Sequence, residues 1–599
     1  MKLSDYIVEY LVQQGVDTVF MVTGGGSMHI NDSLGKESRI RKVFNHHEQA
    51  SAMAAEAYAR ISGNLGVINV TTGPGGINAI NGVFGAWTDS VPMLIISGQV
   101  KRETTVGCHN PGLRQLGDQE CDIITMVQGV TKYSVMITEP DLIRFHLEKA
   151  LFLAMSGRPG PVWLDIPLDV QATQINEAKL TGFPQECDHG LPEQENVIQL
   201  TSNVLEHIRR AKRPVLMVGT GIRRAKAEDI LDQVIEKLGI PVTPAWGAYD
   251  LIPSDHRLFA GRPGTVGDRA GNFVVQNADL LVVIGSRLNI RQVSYNWNDF
   301  ARNAYKIMVD ADEFELKKST VRPDLGIHCD AEKFLEVLSN LLDSNPLPKH
   351  YEDWIQWCQE RVRRYAVITD ENCLKTDFVD PYYFVNRLTH RLSGDDVIAC
   401  GNAMACVTTF QAAHVSKGMR MFTNSGCASM GYDLPAAIGA ALAQNGKRVI
   451  CMAGDGSIQM NLQELQTIVN YRLPVKIFVF NNGGYLSIRT TQRSFFDGRL
   501  VGESSQSGVS FPDLLKVASA YGIKAQRIFN NEDLLSLLDE ILADDDPFIC
   551  ELMIDPRQEM KPRLTSKQLD DGSIVSASLE DMYPFLSKEE LMSNMIGTK

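Results

Sequence analysis

Apolar residues arrive in short runs along the chain, each followed by a glycine turn or a helix-length amphipathic stretch. "DTVFMVTGGG" reads as a strand and a Gly-rich turn, and "RKVFNH" as a short strand leading into a helix from Glu48 through Arg60. "GVINVTTGPGG" is a strand and glycine turn before a helix to about Trp87, and "VPMLIISGQ" is a further strand. Short apolar runs separated by helices indicate a buried parallel sheet covered on both faces. This unit closes near "GPVWLDIPLDV".

The same rhythm recurs twice. Residues 171 to 195 are polar, with Pro, Gly and acid, and read as a linker. A second unit follows with strands at "RPVLMVGTG", "DLLVVIGSR" and "AYKIMVDAD", then a polar stretch from Ser344 to Asp353. The third unit has strands at "DVIACGN", "MRMFTNSG", "KRVICMAGDG" and "VKIFVFNNGG". A polar tail ends in a helix near Lys588 to Met595. The predicted fold class is α/β, with three doubly wound parallel-sheet domains at 1–172, 190–345 and 375–556, and a tail at 557–599.

Composition narrows the function. The 599 residues are 44% hydrophobic and 22% charged, as in an ordinary globular protein. A net charge of −14 argues against nucleic acid or an acidic membrane as partner. No apolar run approaches the roughly 18 residues of a membrane span, and the N-terminus lacks a signal peptide's apolar core. Eleven cysteines, scattered singly, read as reduced thiols of a cytoplasmic protein.

Two strand ends carry the chemistry. "MAGDGSIQMN" runs an apolar strand into Gly454-Asp455-Gly456, and "VFNNGGYLS" runs another into Asn481-Asn482-Gly483-Gly484. Asp455 and Asn482 are 27 residues apart, the length of one helical crossover, which puts both at the same edge of a parallel sheet. A carboxylate, an amide oxygen and backbone carbonyls make a hard-oxygen site that suits magnesium. The glycines let backbone approach a phosphate, and the N-terminus of a following helix favours an anion. Each segment alone is an ordinary turn; together they favour a magnesium–diphosphate site.

GDG followed by NN at this spacing resembles the thiamine-diphosphate signature. The resemblance implies that Asp455, Asn482 and the carbonyl of Gly484 ligate Mg2+, with Gly454, Gly456, Ser457 and Tyr485 around the cofactor. "FNHHEQASAMAAEAYARISG" resembles the catalytic-glutamate helix of the acetolactate synthase and pyruvate oxidase group. "TTGPGGINAINGVFGAWTDSVPMLIISGQ", "LGDQECDIITMVQGVTKYS", "GRPGPVWLDIPLDVQ" and "SGCASMGYDLPAAIGAAL" continue that resemblance over about 550 residues. It implies pyrimidine-binding, central and diphosphate-binding domains in that order. Glu48 would exchange a proton with the aminopyrimidine ring, whose imino form then removes the proton at thiazolium carbon 2. Gln119 matches an active-site glutamine, and Met430 the apolar residue that bends the cofactor. Gly401 and Asn402 match a loop near the diphosphate, and Gly75 and Gly76 a turn near the ring. FAD is implied for the middle unit, lined by Gly219, Gly221, Arg262, Gly264, Arg287 and Asp310. Relatives with the same middle fold bind ADP or nothing, and that alternative stays open. The family's cofactor lies between two subunits, which implies a homodimer or a dimer of dimers.

The implied activity is decarboxylation of a 2-keto acid, most simply pyruvate, with transfer of the acyl carbanion to a carbonyl acceptor. Three features depart from the family. Ala403-Met404 stand where it has His-Gln; Thr491 stands nearest a Trp that limits the acceptor; and the tail differs. A small polar residue at 491 would enlarge or repolarise the acceptor pocket, so a larger acceptor such as a nucleotide-linked keto-sugar is an alternative. A 2-hydroxyacyl lyase, a flavin oxidase and a noncatalytic cofactor-binding relative are further readings. The last predicts loss of Glu48, Asp455 or Asn482, and all three are present.

Overall fold

The computed structural model describes residues 1–109, 112–184, 194–348, 350–374, 377–568 and 571–597. The expected starts of the central and third domains, 190 and 375, and the chain end at 599 lie outside these residues.

Three parallel sheets dominate. The first holds β1 (Thr18–Met21), β2 (Arg41–Phe44), β3 (Gly66–Val70), β4 (Met93–Gln99), β5 (Tyr133–Met136) and β6 (Pro161–Pro167), in the order β2-β1-β3-β4-β6-β5. The second holds β7 (Pro214–Val218), β8 (Val242–Pro244), β9 (Leu280–Ile284), β10 (Tyr305–Asp310) and β11 (Leu325–His328), in the order β11-β10-β9-β7-β8. The third holds β12 (Val397–Cys400), β13 (Arg420–Phe422), β14 (Val449–Gly454), β15 (Val475–Asn481), β16 (Lys524–Ile528) and β17 (Phe548–Met553). Its order, β13-β12-β14-β15-β17-β16, repeats that of the first sheet. The α/β class read from the apolar runs is the class observed.

In each sheet the strand order turns back between the first strand and the third. Such a switch point opens a crevice beyond the carboxyl ends of the strands, where ligands of open α/β sheets bind. Three crevices result: one beside β1 and β3, one beside β7 and β9, and one beside β12 and β14.

The first and third units pack through two small-residue helices, Glu48–Ser62 and Asp433–Ala443. A Cβ added to Gly439 would lie 2.0 Å from the Ala54 carbonyl oxygen, so the backbones touch. On its other sides the Glu48–Ser62 helix is met as closely: a Cβ on Gly82 would lie 2.5 Å from Ala52 Cβ, and one on Gly66 2.4 Å from the Ala55 oxygen.

The tail runs back over the central unit. Helix Arg269–Asn277 is wholly buried, and part of its cover comes from residues 579 to 596. Asn272 Nδ2 donates to the Leu579 carbonyl at 2.8 Å and Gln276 Nε2 to Glu580 at 2.8 Å. Asn277 Nδ2 donates to the Asn594 carbonyl at 2.9 Å, and its Oδ1 accepts from Ile596 N at 2.6 Å. Leu579 and Met582 are buried there.

Candidate active site

In the third unit four strand ends converge. Asp455 follows β14 and Asn482 follows β15, which pair in parallel from Val449↔Val475 to Gly454↔Phe480. Asp455 is 7% exposed; its Oδ1 accepts from Gly456 N at 2.8 Å and its Oδ2 from Gly484 N at 3.0 Å. Burial pushes its carboxyl up to about 6, although the backbone N–H groups of Gly484, Gly456, Asn482 and Gly483 pull it down. Asn482 is 5% exposed, and its Oδ1 is buried with no hydrogen-bond partner. A buried carboxylate short of countercharge beside an orphaned amide oxygen is the donor set a hard cation satisfies. Among the described residues no group of three or more His, Cys, Asp or Glu side chains is placed to hold a metal. A cation here would therefore draw on amide and carbonyl oxygens as well. The Gly484 carbonyl accepts one bond, from Leu486 N at 3.1 Å, which leaves a second lone pair.

The surrounding residues are tightly fitted. A Cβ on Gly456 would stand 2.2 Å from the Tyr485 ring, which lies edge-on to Phe511. Ser457 Oγ donates to Asp433 at 2.6 Å and accepts from Gly431 N at 2.9 Å, tying the GDG turn to the segment after β13. Burial pushes the Asp433 carboxyl up to about 6. A Cβ on Gly401 would lie 2.7 Å from Asp433 Oδ2, and Asn402 Nδ2 donates to the Ala428 carbonyl at 3.1 Å. Met430 stands exposed at the edge of this crevice. The expected helix after GDG is different: a 3-10 turn, Ile458–Asn461, comes first, and the α-helix starts only at Glu464. One such turn aligns too few peptides to bind an anion by its dipole.

The first unit presents a second half-site. Glu48 opens its helix after the His47 cap, whose Nδ1 accepts from Gln49 N at 3.1 Å. Glu48 is buried, and its Oε2 accepts from Asn78 Nδ2 at 3.0 Å. Gly75 adjoins it: a Cβ there would lie 3.5 Å from Glu48 Oε1. Gly76 faces the other way, toward Ile123 and Trp163, so its small size serves core packing. Gln119 is exposed, with φ of 62°, and its carbonyl oxygen lies 2.2 Å from where a Cβ on Gly73 would stand. The glycine turn after β3 and the Gln119 loop are thus in backbone contact.

Sequence reasoning did not single out the residue that joins the two units here. Glu464 is fully buried; its Oε1 accepts from His46 N at 2.9 Å and its Oε2 from Asn45 Nδ2 at 2.9 Å. A carboxylate of the third unit thereby grips the backbone just before Glu48. Asn78 was missed for the same reason: its partner is set by tertiary contact.

The central crevice opens into a cavity where all three units meet. Gly219, Gly221, Arg287 and Asp310 line it. Gly219 and Gly221 are glycines because the loop after β9 touches them: a Cβ on either would lie within 2.6 Å of Gly285. Burial pushes the Asp310 carboxyl up to about 6. Arg262 and Gly264 do not line the cavity. The Arg262 guanidinium instead crosses to the third unit, donating to the carbonyls of Phe410, Gln411 and Ala413 at 3.1, 3.0 and 2.7 Å. Gly264 is held against Asn272, which accepts from its N–H at 2.8 Å. Arg262 thus serves the packing between domains, and Gly264 the packing within the central unit.

Thr491 is exposed on helix Leu486–Phe495, three residues after exposed Ile488. Among the described residues no helix is long and apolar enough to cross a membrane, and the cysteines described are free thiols.

Comparison with known proteins agrees with this arrangement. Residues 1–126 match the N-terminal TPP binding domain of thiamine pyrophosphate enzymes, 201–338 the central domain, and 401–552 the C-terminal TPP binding domain. Acetolactate synthase 2, chloroplastic, of Nicotiana tabacum is 32% identical over 577 residues, covering 94% of this chain and 84% of that protein. The acetolactate synthase large subunit of Lactococcus lactis is 31% identical, covering 95% and 96%. The isozyme 2 large subunit of Escherichia coli is 31% identical, covering 94% and 97%.

Proposed function

Because this chain belongs to the thiamine-pyrophosphate-dependent enzymes, among relatives of the acetolactate synthase large subunits, we propose that it decarboxylates a 2-keto acid and ligates the acyl carbon to a carbonyl acceptor. Thiamine diphosphate, when bound, supplies the acidic thiazolium C–H and the electron sink that such a reaction needs. The observation that carries the reading is the orphaned Asn482 Oδ1 beside the buried Asp455 carboxylate. With the Gly484 carbonyl these two would hold Mg2+, whose charge would anchor the diphosphate. Glu48 moves a proton at the aminopyrimidine, and Asn78 fixes the carboxyl that does so. Gln119 and Met430 border the reacting end, while Gly401, Asn402, Gly454, Gly456, Ser457 and Tyr485 enclose the diphosphate end.

The Glu48 half-site and the Asp455 half-site are completed by a second copy of the chain. Ile77 and Phe84, seven residues apart on helix Pro74–Thr88, are exposed on one face of the helix that carries Asn78. An apolar face beside a catalytic carboxyl is suited to burial in a homodimer or a dimer of dimers.

The central cavity takes FAD. Trp246 Nε1, Arg224 Nε and Ser425 Oγ line it and are buried without partners, three donors that an acceptor-rich, anionic ligand satisfies. Burial, reinforced by nearby Arg60, pushes the Arg224 guanidinium down to about 9, and an anion in the cavity would reverse that. A flavin spectrum in the purified protein, or its absence after mild reconstitution, tests the assignment.

Pyruvate is the simplest donor. Incubation with thiamine diphosphate, Mg2+ and pyruvate should release carbon dioxide and yield acetolactate; carbon dioxide without acetolactate would reject a second pyruvate as acceptor. The exposed Thr491 and Ile488 favour a second reading, in which the acceptor is larger, such as a nucleotide-linked keto-sugar.

A further inference from the structure

The loop that carries Asn482 and Gly484 has little in its own sequence to hold it. Gly483 and Gly484 take φ of 70° and 147°, and glycines lose more freedom on ordering than other residues. Asp455 holds the Gly484 N–H, and a second side chain outside the loop holds its carbonyls. Arg489, on helix Leu486–Phe495, donates from Nη1 to the carbonyls of Asn482 at 3.3 Å and Pro556 at 2.7 Å. It donates from Nη2 to the Gly483 carbonyl at 3.2 Å and from Nε to Glu503 Oε2 at 2.6 Å. Glu503 returns to the same loop. Its backbone carbonyl accepts from Tyr485 N at 2.7 Å and lies 2.0 Å from where a Cβ on Gly484 would stand. Its Oε1 accepts from Ser504 Oγ at 2.6 Å and Ser507 Oγ at 3.4 Å.

The two side chains are 6% and 1% exposed. A buried ion pair brings little net stability, because desolvation offsets the Coulomb attraction. A guanidinium does offer a rigid planar fork that can span several acceptors at once. Here the acceptors belong to three separate chain segments, and two of them are consecutive carbonyls of the loop.

We propose that Arg489 and Glu503 are positioning residues for the metal-binding loop. Arg489 fixes the carbonyls of residues 482 and 483, which leaves the Asn482 side-chain oxygen and Gly484 facing Asp455. Glu503 neutralises the guanidinium, so that a second cation can be held close by. This inference rests on the reading that Asp455, Asn482 and Gly484 hold magnesium.

The test is a calorimetric titration of full-length, metal-free protein with Mg2+ at saturating thiamine diphosphate, for wild type, Arg489→Lys and Glu503→Gln. Both variants should bind Mg2+ roughly 10- to 100-fold more weakly, the usual effect of removing an outer-shell partner. Lysine keeps the charge and should not restore affinity, because an ammonium cannot span these acceptors. Hydrogen exchange in the metal-free wild type needs no variant: the amides of Gly484 and Tyr485 should already be protected. Wild-type affinity in a folded variant, or loop amides protected only after Mg2+ is added, overturns the proposal alone. A wild type that binds no Mg2+ with thiamine diphosphate overturns the underlying reading as well.

Discussion

At the scale of single residues, two carboxyl groups make separate predictions. Glu48→Gln keeps the volume and the Asn78 contact while removing the exchangeable acid proton. Proton exchange at the thiazolium carbon 2 of bound cofactor, followed by NMR, should slow about 10²- to 10⁴-fold, with cofactor affinity retained. Exchange at the wild-type rate would remove Glu48 from its role. Asp165, on β6, is buried; burial pushes its carboxyl up to about 7 against hydrogen bonds from Ser97 and Gln99. An unfolded aspartate titrates near pH ~3.9, so from about pH 4 to 7 the fold keeps a proton that the unfolded chain has released. Stability from this group is fully present below about pH 4 and is lost as pH rises toward 7, by at most about 4 kcal/mol. Asp165→Asn has no such proton. Its urea midpoint should gain on the wild type between about pH 4 and 7, and a constant offset between the two would contradict the assignment. Asp455 and Asn482 were legible because glycines bracket a polar residue at the end of an apolar strand. Asn78, Glu464, Arg489 and Glu503 were not, because each acquires its meaning from a partner that only folding supplies. Glu464 and Asn45 are 419 positions apart.

Among elements, the Glu48–Ser62 helix sets the tolerance of the whole site. It is held between glycines on three sides, at distances where a single methyl has no room. Gly439→Ala should destabilise the protein by about 1–3 kcal/mol or shift the helix, seen as a lowered melting midpoint together with reduced turnover. An unchanged midpoint would mean that the two helices are less tightly joined than their backbones imply. The run of alanines in this helix, Ala50, Ala52, Ala54, Ala55, Ala57 and Ala59, is what permits such close approach. Strands were legible where both faces are covered, since a parallel sheet's inner strands read as unbroken apolar runs. β5, β8, β11 and β16 escaped notice because they lie at sheet edges, where short length or half-exposed positions interrupt the run. β17 is internal, but Glu551 breaks its pattern. Arg527 at 2.6 Å and Asn481 at 2.7 Å satisfy that carboxylate where the sequence showed only a charge.

Over the whole molecule, buried charge joins the three units around the central cavity. Arg60, at the far end of the Glu48 helix, lines the central cavity and pairs with Glu56 and Asp89; Glu56 also accepts from the Tyr432 hydroxyl, two residues past Met430. A ligand in the central cavity therefore adjoins a network that ties the Glu48 helix of the first unit to the third unit. Completion of those half-sites by a second copy predicts a dimer or larger assembly in sedimentation velocity. Phe84→Glu should yield monomers without turnover, and an active monomer would place the whole site within one chain. The tail, finally, bears on how the protein is made. Helix Arg269–Asn277 gains part of its cover from residues 579 to 596, so the central unit's packing stays incomplete until the tail has docked. A premature stop beyond residue 556 would spare every candidate site residue, yet leave a permanently exposed surface for chaperones and proteases to find.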